Sequence, residues 1–303
     1  MTSTAVRVSD EVAAAVRERR PVVALESTII THGLPRPRNA EVALEAEAAL
    51  RDAGVVPATI GVVGGVATVG LSSDEITALA GDDGVDKVSL RDLPVVGALG
   101  RSGGTTVATT AFLAHRAGIT VFATGGLGGV HHGASTTFDE SADLTVLART
   151  PVLVVSAGVK SILDVGATLE RLETLNIPVL GYRTTRFPGF YVRDSGFGLL
   201  YSVDSPEQAV AVVRARDDLG LPQAVLLANP VGEHDQLPPD EHDAILAAAW
   251  AEVERAGISG NATTPFLLDH VRRATGDRSL EVNLAVYRGN VALAGQVAVA
   301  SAG

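Results

Sequence analysis

Short β-branched apolar runs alternate with stretches of helical character along most of this chain, and that alternation leaves few folds open. Val22–Leu25, Ala58–Val63, Val85–Ser89, Ile119–Ala123, Val152–Ser156, Ile177–Gly181 and Ala224–Ala228 read as strands. Most are apolar throughout rather than at every second position, the pattern of strands covered by helices on both faces. Helix ends are marked between them. Ser72 with Glu75 and Ser205 with Gln208 form capping-box pairs, and Gly54, Gly81, Gly118 and Gly257 stand where helices should stop. After the last strand the pattern changes: Pro239–Gly257, Thr264–Thr275 and Glu281–Val299 read as consecutive helices. The expected architecture is a three-layer α/β/α sandwich around a largely parallel or mixed sheet, with a helical C-terminal section. No linker, charge block or repeat divides the chain, so one domain over residues 1–303 is expected.

Charge narrows the partners. Acidic residues number 35 against 24 basic ones, a net charge of −11, and no basic stretch offers a surface for nucleic acid. The chain has no cysteine, which removes disulfides, thiolate metal ligands and thiol nucleophiles together and suits the cytoplasm. Apolar runs such as Pro151–Val155 fall far short of the roughly 20 residues of a membrane helix. The N-terminus carries Arg7, Asp10, Glu11 and Arg17 rather than the apolar core of a signal peptide. A soluble cytoplasmic protein is expected. Of the 24 bases only Lys87 and Lys160 are lysine, leaving 22 arginines. A guanidinium keeps its proton, whereas a buried ammonium can lose one, as an amine nucleophile must. Chance survival of two surface lysines in an arginine-biased chain is the plainer alternative.

In a sheet of this kind ligands collect beyond the carboxyl ends of the strands. The first strand runs into Glu26-Ser27-Thr28-Ile29-Ile30-Thr31-His32-Gly33. A carboxylate there suits acid–base work with its pKa raised by burial, and equally suits a cap or salt bridge at the strand edge. His32 alone reads as a structural histidine. The fourth strand opens into Thr124-Gly125-Gly126-Leu127-Gly128-Gly129-Val130-His131-His132-Gly133, a candidate anion-binding loop or a plain tight turn. It is not a dinucleotide fingerprint, because the third glycine of that pattern would fall on His131. Asp139, Glu140, Ser141 and Asp143 follow; they could hold a hard divalent cation, or Asp139 and Glu140 simply start the helix that runs through Leu147. His131 and His132 are adjacent and lack zinc-ligand spacing. The fifth strand leads into Ser156-Ala157-Gly158-Val159-Lys160-Ser161. Val159 separates Gly158 from Lys160, so this is not a Walker A loop. What remains is a lysine in an apolar setting just past a strand, suited to amine chemistry with a carbonyl. Lys87 lies in or at the end of another strand, where a lysine is odd unless it pairs or points into a site.

These residues resemble the pseudouridine-5′-phosphate glycosidase family, which shares a fold with the indigoidine-synthesis A proteins. The matching stretches are Ala24 to Ile30, His32-Gly33, Thr105 to Ala108, Thr124 to His131, Phe138 to Asp143, Ala157 to Asp164 and Thr264 to Leu268, in order along nearly the whole chain. His132 is a departure, standing where several relatives carry arginine. The resemblance implies cleavage of the C–C bond between uracil and ribose 5-phosphate, with Mn²⁺, by an enzyme that is commonly trimeric. Carried over by motif, Lys160 would be the nucleophile and Glu26 the proton donor. Asp139 would hold the metal. Lys87, Val107, Ser141, Ala142 and Asp143 would bind substrate, and Thr106, Thr124, His131 and Asn283 also fall on pocket positions. Some relatives carry a fused carbohydrate kinase; none is evident here, so a separate kinase is expected to make the substrate.

The chemistry is consistent with those assignments. An ordinary glycosidase protonates a leaving oxygen, whereas pseudouridine has carbon at that position. An iminium between ring-opened ribose C1′ and Lys160 is an electron sink toward which a C–C bond can break. Two other classes remain open on the residues: a synthase that runs the same chemistry in reverse onto an aromatic carbon, and a pyridoxal-phosphate enzyme, which also joins a lysine to a phosphate cup. A non-catalytic sugar-phosphate binder would leave the lysine and carboxylate without a purpose.

Overall fold

The computed structural model describes residues 6–258 and 263–303; the side chains of Thr264 and Pro265, part of one matching stretch, lie outside the described residues. The chain opens with β1 (Arg7–Val8), α1 (Asp10–Arg17) and β2 (Val22–Leu25). A wide π-helical turn over Ile29–Gly33 leads to α2 (Arg38–Asp52), β3 (Val56–Val63), β4 (Val66–Val69) and α3 (Ser73–Gly81). Next come β5 (Asp86–Val88), α4 (Leu93–Ala98), β6 (Gly103–Thr105), α5 (Val107–Arg116) and β7 (Val121–Ala123). The middle holds α6 (Ala134–Thr137), α7 (Ala142–Leu147), β8 (Leu153–Ser156), α8 (Val165–Thr174), β9 (Val179–Tyr182), β10 (Tyr201–Val203), α9 (Pro206–Asp218) and β11 (Val225–Ala228). Three helices close the chain: α10 (Pro239–Ala256), α11 (Thr263–Ala274) and α12 (Arg278–Ala302).

The strands form one sheet in the order β1-β4-β3-β2-β7-β8-β11-β9-β10, with a side ribbon of β5 and β6 attached to β3. Pairing is parallel except where β3 meets β4 and β6. Alternate residues of each central strand feed two cores. Ala24, Phe122, Val154 and Leu226 pack with α1, α5, α7, α8, α10 and α11 through residues such as Ala111 and Leu144. Leu25, Ala123, Val155 and Leu227 pack with α2, α3, α9 and α12 through residues such as Leu50 and Tyr287. This is the expected sandwich. Phe122 is fully buried, and covering a side chain of that size contributes about 2–3 kcal/mol. Among the described residues no helix is long and apolar enough to cross a membrane.

Several local expectations need correction. The strands β1, β4, β6 and β10 are further strands of two to four residues, each interrupted by a polar residue or glycine and so without an apolar run to mark it. β3 and β4 form a hairpin whose turn residues, Gly64 and Gly65, have φ of +54° and +84°; that Gly-Gly pair between valines is a hairpin signal. Ser72 and Glu75 make the full capping box. At α9 only half forms: the Ser205 hydroxyl accepts the Gln208 N–H, but the Gln208 side chain accepts from Asp204 N. Gly54, Gly118 and Gly257 take the left-handed conformation past helix ends, whereas Gly81 is the last residue of α3 and Asp82 caps it. The C-terminal helix begins earlier and runs later than its periodicity indicates, from Arg278 to Ala302.

Candidate active site

Sheet register brings the first pair together. Leu25 of β2 lies opposite Ala123 of β7, and Ala123 opposite Val155 of β8. The next residue on each strand, Glu26, Thr124 and Ser156, therefore sits on one rim at the carboxyl edge. The Thr124 hydroxyl donates to Glu26 Oε1 at 2.6 Å and the Thr28 hydroxyl to Oε2 at 2.8 Å. Glu26 is only 7% exposed. Burial pushes its carboxyl above the ordinary range; the Lys160 charge and the two hydroxyls pull it down, and Asp143 pushes it further up.

The glycine loop after β7 is pinned to the loop that carries Lys160. The Leu127 N–H donates to Gly158 O at 2.9 Å, and the Lys160 N–H donates back to Leu127 O at 3.2 Å. The loop is less open than an anion cup would be. The amides of Leu127, Gly128, Val130 and His131 already donate to Gly158 O, Asp143 Oδ2, Thr168 Oγ1 and Asp139 O. Its glycines instead allow close packing. A Cβ on Gly128 would collide with Ser141 Oγ, and one on Gly126 would stand 2.7 Å from the Phe190 ring.

Asp143 explains part of this closure. Its Oδ1 accepts the Ala108 N–H in the first turn of α5 at 2.9 Å, and its Oδ2 accepts the Gly128 N–H at 2.8 Å. A carboxylate at a helix N-terminus also meets the positive end of the helix dipole. Of the stretch Ser141 to Asp143, the last side chain is thus turned inward; Ser141 caps α7 by accepting the Asp143 N–H, and Ala142 is exposed. Asp139 and Glu140 precede that helix rather than start it. Asp143→Ala would strand two inward-pointing amides. We expect a loss of about 2–4 kcal/mol, read as a lower thermal midpoint, because each unsatisfied buried group costs about 1–3 kcal/mol. At the same helix start, Val107 is buried and the Thr106 hydroxyl is buried without a partner among the described residues.

The two lysines arrive by different routes. Lys160 follows β8 directly and is half-buried. Lys87 sits mid-strand in β5, opposite Gly104 of β6, so it comes from the side ribbon and not from a strand end of the main path. Lys87 is exposed, yet desolvation by the protein around it lowers its ammonium below the ordinary lysine range. Lys160 lowers it further, and Asp143 and Glu26 oppose the shift. His131 is likewise held below the ordinary histidine value by burial. Asp139 opposes that shift, while His132, Lys160 and Lys87 reinforce it. Lys160, Lys87, Glu26, Asp143 and His131 thus form one electrostatic cluster.

Four further residues border this cluster. The pKa of His32 is lowered by burial and then by Lys87, with Asp86 opposing; its position in the turn after Glu26 was the available sequence signal. Asn283 on α12 places Oδ1 3.7 Å from where a Gly125 Cβ would be. Phe190, at φ +63°, backs the glycine loop. Asn290, fully buried on α12, donates to the carbonyls of Thr124 and Gly125. Nothing in the spacing of a helix core distinguishes Asn290 from its apolar neighbours.

The donors for a cation are few. His131 Nδ1 and Asp139 Oδ2 are 4.0 Å apart, while Glu140 pairs with Arg171 at 2.8 Å. No group of three potential side-chain ligands occurs among the described residues. This set suits a hard ion that keeps most of its water and takes one protein carboxylate, as small divalent cations do. It does not suit a protein cage.

Residues 11–300 match the family described as indigoidine synthase A like protein. The chain belongs to that family. Two relatives called pseudouridine-5′-phosphate glycosidase illustrate the similarity. The protein of Saccharopolyspora erythraea is 67% identical over 98% of both chains. That of Deinococcus radiodurans is 55% identical over 95% of this chain and 92% of its own. Among solved structures, the prealnumycin C-glycosynthase in complex with ribulose 5-phosphate superposes with a TM-score of 0.92 at 40% identity, covering 99% of this chain and 98% of its own. The indigoidine synthase A-like protein of Thermotoga maritima gives a TM-score of 0.89 at 38% identity over 99% and 97%. The family and fold expected from the motifs are those found.

Proposed function

We propose that this protein cleaves the C–C glycosidic bond of pseudouridine 5′-phosphate, reversibly, to uracil and ribose 5-phosphate. The observation that carries the reading is the convergence of a half-buried amine, Lys160, with a buried carboxyl of raised pKa, Glu26, in a chain 67% identical to a protein of that name. The C1′–O4′ bond breaks to open the ribose ring, Lys160 Nζ bonds to C1′, and the proton lost by the amine passes to O4′. Glu26 delivers a proton to the uracil ring carbon, and the nitrogen lone pair expels uracil to leave a C1′=N iminium. Water then releases the aldehyde of ribose 5-phosphate and returns the amine. In the reverse direction uracil carbon adds to that iminium. Thr124 and Thr28 orient the carboxyl. Lys87 with the start of α5, at Thr106 and Val107, would hold the phosphate, an arrangement suited to an anion at a helix N-terminus. Ser141, Ala142, His131 and Asn283 would complete the pocket. Incubation with pseudouridine 5′-phosphate should release free uracil; a preparation that releases none would overturn the reading.

The similarity to a C-glycosynthase favours a second reading, joining of ribose 5-phosphate to an aromatic carbon. It ranks behind the first because the identity is 40% against 67%. Turnover of an aromatic acceptor but not of pseudouridine 5′-phosphate would reverse that order.

Three further parts belong to the same proposal. Asp139 would hold Mn²⁺, whose charge would be available to the substrate's oxygens. We expect chelation to lower turnover at least about tenfold, with Mn²⁺ restoring it. Trp250, the sole tryptophan, stacks edge-on against His132 at 4.6 Å, so its fluorescence should respond to Mn²⁺ in the wild type and not in Asp139→Ala. Full activity after exhaustive chelation would remove the metal from the scheme. The protein would act as a cytoplasmic homotrimer. An apolar cleft of about 810 Å³ between α2 and α12, lined by Ala46, Ala49, Val291, Ala292 and Val299, supports burial of that face against a partner. A separate kinase would phosphorylate pseudouridine to supply the substrate.

A further inference from the structure

The rim of the candidate site is tied together by one amide chain, buried at Asn290 and half-buried at Asn229, that the reaction scheme does not use. Asn229 follows β11, and its N–H donates to Ser156 O at the end of β8 at 2.8 Å. Its side-chain Nδ2 donates to Asn290 Oδ1 at 3.0 Å. Asn290 Nδ2 in turn donates to the carbonyls of Thr124, at 2.8 Å, and Gly125, at 3.2 Å. The chain thus spans the ends of β7, β8 and β11 and reaches both loops that carry the proposed chemistry. Thr124 holds the Glu26 carboxyl, and the residues after Ser156 lead to Lys160.

The chemistry of the contacts fixes the orientation of Asn290. Two carbonyl oxygens converge on one end of its amide, so that end must be the NH₂, and the other end must accept from Asn229. All three of these bonds are satisfied in a fully buried position. Gly125 O has a second donor in the Ala157 N–H at 2.9 Å, whereas no backbone N–H reaches Thr124 O among the described residues. A helix that needed only to pack would carry an apolar side chain here, as its neighbours Val286, Val291 and Leu293 do. Burying an amide costs free energy unless its bonds are made, and a fully satisfied network specifies one arrangement.

We infer that Asn290, braced by Asn229, is a positioning residue that holds the Thr124–Gly125 rim in register with Glu26 and the Lys160 loop. The inference rests on the proposed function for its kinetic consequence but not for its structural one. Four variants test it: Asn290→Ala, Asn229→Ala, the double variant, and Val291→Ala as a purely apolar change in the same helix. For Asn290→Ala we expect kcat for uracil release to fall about 10- to 100-fold, the scale of a roughly 1 Å misplacement, with KM changed by less than about threefold. Amide hydrogen exchange over Thr124–Leu127 should accelerate. Asn229→Ala should move both readouts the same way and covers the case in which the buried variant fails to fold. The double variant should be no worse than Asn290→Ala, since both break one network. Val291→Ala should lower thermal stability and move neither readout. If Asn290→Ala and Asn229→Ala instead behave like Val291→Ala, the residues are structural only and the inference fails. The exchange measurement needs no substrate, so a wild type that released no uracil would sink the functional reading while still deciding this one.

Discussion

Lys160→Arg is expected to lower uracil release by at least about a thousandfold, because removing a covalent nucleophile leaves only binding and the remaining groups. Arginine keeps the positive charge and much of the length, so simple charge attraction to substrate would survive the change. It cannot release a proton in a protein and so cannot form the bond to C1′. The matching covalent test is reduction by borohydride in the presence of ribose 5-phosphate, which should fix a mass increment on Lys160 in the wild type and none in the variant. Normal turnover by Lys160→Arg would remove the Schiff-base mechanism. Lys87 is the second amine in the cluster and the control for that labelling: it approaches from the β5–β6 ribbon and should stay unmodified.

Glu26→Gln should move activity and stability in opposite directions. Loss of a positioned general acid–base typically costs about 10²- to 10⁴-fold, and the glutamine amide can accept one threonine hydroxyl and donate to the other without exchanging a proton. Stability follows from the raised pKa. Burial favours the protonated carboxyl in the folded state, against an ordinary value of 4.5 in the unfolded chain. Between these two values the folded protein binds more protons than the unfolded one, so stability declines as pH rises through that window. Above the folded pKa the full cost of holding a buried carboxylate is present. Glu26→Gln removes that cost. Its thermal midpoint should exceed that of the wild type near neutral pH, and the advantage should shrink toward pH 4.5 and vanish below it. A variant equally stable at all pH values would show that Glu26 is not a strained, buried acid.

Much of the fold was legible because apolar central strands and capped helices leave strong local signals. All-apolar runs such as Val22–Leu25 and Val152–Ser156 require cover on both faces, and α1, α2, α5 and α12 provide it. The missing strands carry polar residues or glycines in place of an apolar run and exist through their partners: Arg7 and Val8 become a strand only beside Thr68 and Val69. The Gly64-Gly65 hairpin is absent from the reading of apolar runs, because its signal lies in turn chemistry that demands positive φ and not in a period. The glycine run after β7 carried a stronger anion-loop expectation than the structure supports, because backbone spacing in sequence does not say which amides are already taken.

The sequence by itself determined the layered α/β architecture, the position of Glu26 and Lys160 just past strands, and the family, since each depends on local pattern or on contiguous motif residues. Tertiary structure alone decided that Lys87 enters from a side ribbon, that Asp143 turns inward onto Ala108 and Gly128, that the Lys87 charge reaches His32, and that Asn290 joins the strand ends. Those relations link residues from different elements, and in the case of Asn290 and Thr124 they lie 166 positions apart. Local propensity reports what a segment does with its neighbours in sequence. Which buried amide meets which carbonyl is set only when the two cores close on the sheet.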